Sequence, residues 1–479
     1  MSHKTAKQAP KPRPLSWACA AMGGTMLVPA AQPGATFAGA ATDSREVRPG
    51  RLFFALPGER VDGFDFCAEA VRAGAAAVVV AAARGQPAGC ASVPVIAVPD
   101  PRRALGDLAR AVRSRFRGRV IGVTGSNGKT TTKELIAAAL SASGTVLRTQ
   151  GNLNTDVGMP LTVIESTEQE DFWVLEMAMR ARGEIAYLAN VGKPHVGVVT
   201  NVAGAHLERL GSVDAVARAK GEIFRGLARG GIAVLPAGEP RLEREADHLA
   251  AGRKLRFAVF GGEPATVRVL DLVPAGQDGS VVRLAVDKTP LVLRLPLAGE
   301  HNAANAAAAL AVVRALSLPL VPAAKAMAAA VLPPHRSQVL AEAGRTIMDD
   351  CYNANPTSMR AALRTVVAAA GASARAFAIL GDMLELGPEA AQAHEALGAE
   401  AARLGYAGLA AVGEMAARIV DGARAAGLPR SRVLATLDPE LAAAAMAQWS
   451  KPGDWVLVKA SRGMRLERAL EALRRKLEG

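Results

Sequence analysis

Short β-branched and apolar runs alternate with amphipathic stretches along most of the chain, the pattern of an α/β architecture. Between residues 15 and about 115, strand-like runs at 52–56, 76–81 and 93–98 are interleaved with a helical run at 66–73. Residues 102–117 keep a helical period with Gly106 as the sole interior Gly or Pro, which predicts a connecting helix. A β-branched run at 119–123 is followed by a glycine-rich turn and a helix over 130–141. Further strands are predicted at 171–175, 196–201 and 231–235, so the middle third reads as a doubly wound unit closing near Pro333 and Pro334. From Arg345 the alternation restarts, with strands near 346–349, 376–380, 409–412, 432–435 and 455–459 and a last helix at 466–477. Residues 238–295 carry no usable motif.

Length and composition bound this picture. The chain has 479 residues, of which 50% are apolar, 21% charged and 4% aromatic. At about 150 residues per domain it should hold three cores. The expected division is a flexible basic leader at 1–14, then units at 15–115, 116–333 and 334–479. A disordered, collagenous or disulfide-stapled chain is excluded. Cys19, Cys67, Cys90 and Cys351 lie far apart without a C-x-x-C spacing, which fits a reducing compartment. Apolar stretches such as 73–83 fall short of the roughly 20 residues that span a bilayer. Lys4, Lys7, Lys11 and Arg13 ahead of an apolar stretch at 15–28 outline a signal peptide, but Gly23, Gly24 and Thr25 interrupt its core. A cytoplasmic protein without a membrane span is the expectation.

With 57 Lys and Arg against 44 Asp and Glu, the net charge of +13 raises the question of nucleic acid. The basic residues are scattered, however, and three Tyr and four Trp offer little for base stacking. A basic surface suited to small anionic substrates accounts for the charge.

The sharpest chemical signal runs from Gly122 to Thr131, Gly-Val-Thr-Gly-Ser-Asn-Gly-Lys-Thr-Thr. Backbone N–H groups at Gly125, Ser126, Asn127 and Gly128 can wrap phosphate oxygens, Lys129 can reach the β- and γ-phosphates, and the Thr130 hydroxyl can ligate Mg²⁺. The usual phosphate-loop pattern wants Gly at position 123, where Val123 stands; the glycines fall at 122, 125 and 128. Strand, turn and helix in that order nevertheless supply the required context. Glu176 at a strand end could hold Mg²⁺, directly or through water, although a single such Glu is more often a surface residue. His206 and Lys220 are each, taken singly, as readily structural or solvated as functional.

These residues resemble the Mur ligase family. The likeness rests on the phosphate loop, Gly151–Gly158, Leu175-Glu176-Met177, 201–206, Ala219-Lys220, 299–305 and 349–356, and it extends from about Leu15 to the C-terminus. Thr42-Asp-Ser-Arg45, with 50–62, looks like the UDP-binding N-terminal domain shared with the branch that adds the third residue, whereas Leu380-Gly-Asp-Met-Leu-Glu-Leu-Gly387, Tyr352-Asn-Ala-Asn-Pro356 and Val458-Lys-Ala-Ser-Arg462 look like the branch that adds a dipeptide. The resemblance implies a small UDP-binding α/β domain, a central phosphate-loop ATPase domain and a Rossmann-like C-terminal domain. It implies ATP-dependent ligation of D-alanyl-D-alanine to UDP-N-acetylmuramoyl-tripeptide through an acyl phosphate, in a monomer.

Residue roles follow from the same resemblance. Lys129, Thr130 and Thr131 would meet the ATP phosphates, Asn302 and Asn305 the adenine side, Arg336 the phosphates and Asp350 the ribose. Thr130, Glu176 and His206 would hold Mg²⁺, supported by Lys220 as a carbamate. Ser44, Arg45, Asn152, Asn154, Thr155, Asn353 and Asn355 would contact substrates. Ala460 stands where the family pattern usually has Gly, and Thr155 where Asn is frequent. The rival readings are a ligase of the same family adding a single amino acid, to the muramoyl peptide or to folate, and, from a different class, a nucleotide-gated nucleic-acid module.

Overall fold

The computed structural model describes residues 9–58, 61–204, 210–249 and 255–478. Three main sheets follow one another along the chain, each flanked by helices, with a separate two-stranded pairing near the N-terminus. The first runs Thr25–Val28, Val95–Val98, Ala77–Ala81, Leu52–Phe54, Ala40–Ala41, with only the first pairing antiparallel. The second has nine strands, and Arg119–Thr124 lies between Val196–Val199 and Phe172–Glu176. The third has six strands in the order Gln338–Glu342, Arg345–Asp350, Trp455–Lys459, Ala376–Gly381, Gly408–Val412, Val433–Thr436, parallel except at its first pair.

The central strands are apolar in their interiors, with polar residues at their ends, because both faces are covered, as parallel sheets require. Successive side chains point to opposite faces. Phe172 and Val174 therefore join one core cluster with Ile121, Val123, Val196 and Val198, whereas Trp173 and Leu175 join another with Val120 and Val199. That second cluster does not stop at the central unit. It continues through Leu105, Leu108 and Val112 of the connecting helix Pro101–Arg115 to Leu52, Phe54, Ile96 and Val98 of the first sheet. Phe116 and Trp173 stack within it at 3.9 Å between ring centroids. The C-terminal sheet has two clusters of its own.

The parallel register brings strand ends together. Glu176 pairs with Val123 and Val199 with Thr124, so the turn after Thr124 sits beside the carboxyl ends of both neighbours. Later chain segments build outward on the Val196–Val199 side, and Val146–Arg148 lies beyond Phe172–Glu176 on the other. Arg119–Thr124 is thus the switch point where open α/β sheets bind ligands.

One expectation needs correction. The leader does not remain loose to residue 14: Arg13–Pro14 pairs with Thr36–Phe37, and Arg13 is 0% exposed. Its guanidinium donates to the Ile164 and Ser166 carbonyls and pairs with Glu168 at 2.9 Å, a satisfied set of bonds that offsets burial. Residues 1–8 lie outside the described residues. Among the described residues of the motif-free stretch 238–295, helix Pro240–Leu249 is followed by strands Arg256–Gly261, Val267–Pro274, Ser280–Val286 and Thr289–Leu295, which extend the central sheet, the last three antiparallel to one another in turn.

His195 supplies a pH test of this core. Its Nδ1 accepts the Val120 N–H at 2.9 Å, and burial, with Arg113 and Arg119 nearby, pushes its pKa down to about 4. The neutral ring in the fold contrasts with a ring that charges near pH 6.5 when unfolded. Its stabilisation is therefore complete above about pH 6.5 and is lost as pH falls toward 4. His195→Gln should flatten that part of the melting-temperature profile; an unchanged acid limb would show that other groups cause it.

Candidate functional site

Helix Lys129–Ser141 begins directly after Gly128, whose φ of +74° only a residue without Cβ adopts freely. A Cβ there would strike the Asn305 side chain, and one on Gly125 would strike Thr200. The loop is therefore both bent and tightly backed. Asn127 N–H donates to Asn201 Oδ1 at 2.9 Å, while its carbonyl accepts Thr200 Oγ1 at 2.6 Å and Asn201 Nδ2 at 3.1 Å. Ser126 is tied to Ala203 through its hydroxyl. Lys129 Nζ folds back onto the Gly125 and Ser126 carbonyls at 2.8 and 3.2 Å. Burial lowers its pKa, Glu176 opposes that effect and Arg336 adds to it.

Glu176 is 1% exposed at the end of its strand. Thr130 Oγ1 donates to its Oε2 at 2.9 Å, Asn154 Nδ2 to its Oε1 at 2.7 Å, and Lys133 Nζ stands 3.6 Å from Oε2. A hydroxyl facing a carboxylate at the mouth of a phosphate loop is a hard-oxygen pair suited to Mg²⁺, which takes its remaining ligands from phosphate and water. Among the described residues no group of three or more His, Cys, Asp or Glu side chains converges on a point.

A cavity of about 970 Å³ opens here. Ser126 to Thr131, Asn152, Asn154, Thr155, Glu176, Lys220, Asn302, Asn305, Arg336, Asp350, Asn353 and Asn355 all line it. Gly125 does not, being tucked beneath Thr200. Ser44 and Arg45 lie outside it; Ser44 is buried, and Arg45 is exposed and paired with Asp43. His206 lies outside the described residues.

On the central unit's own helix Glu300–Ala315, Asn302 and Asn305 are buried and bonded to each other at 3.2 Å, and Thr132 donates to Asn305 Oδ1. The Arg336 guanidinium stacks 3.7 Å over Tyr352, with its Nε buried and unpartnered. Asp350 accepts Ser337 N–H at 2.9 Å and Lys459 Nζ at 2.5 Å. Lys459, His301, Lys133, Thr200 and Asn201 are assigned no role from the sequence, although all but Lys133 fall in or border the motifs quoted there. Lys220 is 2% exposed with its pKa pushed well below 10.5, by burial first and Lys129 second. Its amine is held toward the neutral form.

The Mur ligase middle domain matches residues 123–313, its glutamate ligase domain 335–462 and its catalytic domain 36–113. The chain is 36% identical over 470 residues to the UDP-N-acetylmuramoyl-tripeptide–D-alanyl-D-alanine ligase of Mycobacterium tuberculosis, covering 90% of this chain and 91% of that one. The chain belongs to the Mur ligase family. It superposes on MurF from Acinetobacter baumannii with a TM-score of 0.86 at 30% identity, covering 98% and 99% of the two chains. MurF from Thermotoga maritima, solved with ADP, gives 0.81 at 31%, with 92% and 97% covered. Two other Mur ligase-fold enzymes are more distant. A 2,6-diaminopimelate-adding ligase at 19% identity and the M. tuberculosis folylpolyglutamate synthase at 18%, with TM-scores of 0.54 and 0.62, share the fold alone.

One contact links the C-terminal unit to the phosphate loop. Asn355 Oδ1 caps helix Pro356–Ala370 through Ser358 N–H, while its Nδ2 donates to Asn127 Oδ1 at 2.6 Å. Asn355→Asp keeps the cap and removes the donor. The expected outcome is a melting temperature near wild type with kcat/KM for ATP reduced about 5- to 100-fold. Unchanged steady-state kinetics would show that the contact is idle.

Proposed function

We propose that the chain joins D-alanyl-D-alanine to UDP-N-acetylmuramoyl-tripeptide at the expense of ATP, releasing ADP and phosphate. The observation that carries this reading is likeness over 78–91% of this chain, at 34–36% identity, to relatives that all bear that ligase name. The single-amino-acid rivals meet this chain only at the level of fold. A cavity shared by the phosphate loop and the C-terminal Asn353 and Asn355 supports a reaction between a nucleotide and two further substrates.

The chemistry follows from a simple obstacle. A carboxylate is a poor electrophile with no leaving group, and its charge repels the γ-phosphate. Transfer of the γ-phosphoryl group to the tripeptide carboxylate supplies the leaving group as an acyl phosphate. The dipeptide amine attacks the acyl carbon, loses its proton, and phosphate departs from the tetrahedral intermediate. Lys129, released from the Gly125 and Ser126 carbonyls, neutralises the phosphates, and Arg336 stands across the same cavity. Thr130 and Glu176 would hold Mg²⁺, with His206 added by resemblance. The bound ion screens the two anions and stabilises charge on the transferring group. Ser44 and Arg45, on the N-terminal unit, would anchor the UDP end.

Lys220 suits carbamylation. A neutral buried amine can attack CO₂, forming an N–C bond and releasing one N–H proton, which converts the neutral amine into an anionic carbamate beside Lys129. Because only the neutral amine reacts, the carbamate is gained as pH rises through the lowered pKa. Activity in CO₂-free buffer should fall and return with bicarbonate, while Lys220→Ala stays inactive in both; full activity of that variant would remove Lys220 from the site.

Phosphate release with each amine donor tests the whole reading. D-alanyl-D-alanine should stimulate it, and no single amino acid should do so. Lys129→Ala should lose at least about a thousandfold in kcat while keeping its affinity for UDP-N-acetylmuramoyl-tripeptide. Normal turnover by that variant would sink the phosphate-loop assignment.

A further inference from the structure

Lys133 lies one helical turn beyond Lys129 on the same helix, yet it is 0% exposed and does not line the cavity. A buried ammonium persists only if partners replace its water. Its Nζ donates to the Thr149 carbonyl at 2.7 Å, pairs with Glu134 Oε1 at 3.1 Å and faces Glu176 Oε2 at 3.6 Å. Glu134 is held in turn by Arg148 at 2.6 Å. Charges of alternating sign thus run from Arg148 through Glu134 and Lys133 to Glu176.

The geometry gives each partner a different task. At 3.6 Å Lys133 attracts Glu176 without occupying an oxygen at hydrogen-bond distance, and those oxygens go to Thr130 and Asn154. Thr149 is clamped twice: its carbonyl accepts Lys133, and its hydroxyl accepts the Glu176 N–H at 3.0 Å. The segment 149–157, which carries Asn152, Asn154 and Thr155 into the cavity, starts at that clamp. Asn154 then closes the circuit on Glu176.

We propose that Lys133 is a positioning residue that registers the 149–157 segment against Glu176 and the phosphate-loop helix, so that affinity for the muramoyl-peptide acceptor depends on a side chain the acceptor never touches. This rests on the reading that Asn152, Asn154 and Thr155 face that acceptor. A lysine placed here only to fill the core would affect both ligands alike and would not couple to Asn154.

Calorimetric binding to the intact protein in EDTA separates these cases, with UDP-N-acetylmuramoyl-tripeptide and ADP as the probes. Lys133→Met should weaken the tripeptide at least about tenfold and ADP less than about threefold, and Lys133→Arg should recover most of the loss. Asn154→Ala should weaken the tripeptide too, and the double variant Lys133→Met/Asn154→Ala should be no worse than the weaker single variant by more than about twofold. Lys133→Met/Glu134→Gln, which leaves no orphaned Glu134 charge, should reproduce the tripeptide loss even where Lys133→Met folds poorly. Tripeptide affinity equal to wild type in that variant, additive losses with Asn154→Ala, or equal loss of both ligands without rescue by Arg overturns the proposal and leaves the reaction assignment standing. Failure of the wild-type protein to bind the tripeptide overturns both.

Discussion

A carboxylate that is 99% removed from water must be neutralised or bonded on all sides, and Glu176 meets that demand with groups from three directions. Thr130 comes from the phosphate-loop helix, Asn154 from the segment after Val146–Arg148, and Lys133 from deeper in the same helix. Satisfying one buried charge therefore locks together the elements that would meet nucleotide, metal and acceptor. The parallel register makes this possible, because Glu176 ends its strand level with Val123.

The three units are joined by unequal means. The N-terminal and central units share one apolar cluster, stacked Phe116 and Trp173, and the buried Arg13 among the Ile164 and Ser166 carbonyls and Glu168. Breaking a buried pair of that kind costs about 3–5 kcal/mol, so these two units behave as one platform. The C-terminal unit has its own cores and meets the central one through polar contacts such as Asn355 with Asn127 and Gln277 with Thr346. Polar contacts exchange readily with water, whereas a shared apolar core does not. Domain closure around an acyl phosphate, which excludes water from it, would then fall on the C-terminal unit.

Ordinary physical chemistry also explains what could be read early. Alternation of β-branched runs with helical periods located strands such as Arg119–Thr124 and Trp455–Lys459 to within a residue or two, because those periods reflect burial on local faces. The phosphate loop was legible because Gly128 needs a positive φ and Lys129 and Thr130 must follow it at once. The strands at 256–295 escaped notice: exposed Phe257, Leu270 and Val292 blur the alternation of apolar and polar positions along them.

What the amino-acid order determined alone is therefore local: where the chain bends, which segments bury a face, and which residues can cradle phosphate. Tertiary structure decided the pairings across distance. Arg13 looked like part of a loose basic leader until Ile164, Ser166 and Glu168 surrounded it, and nothing in the local pattern marks Lys133, over which Thr149 and Glu134 close. Asn355 meets Asn127 across 228 residues of chain. No local period encodes such partners, because they depend on sheet order and on how far each side chain must go to escape an unsatisfied burial.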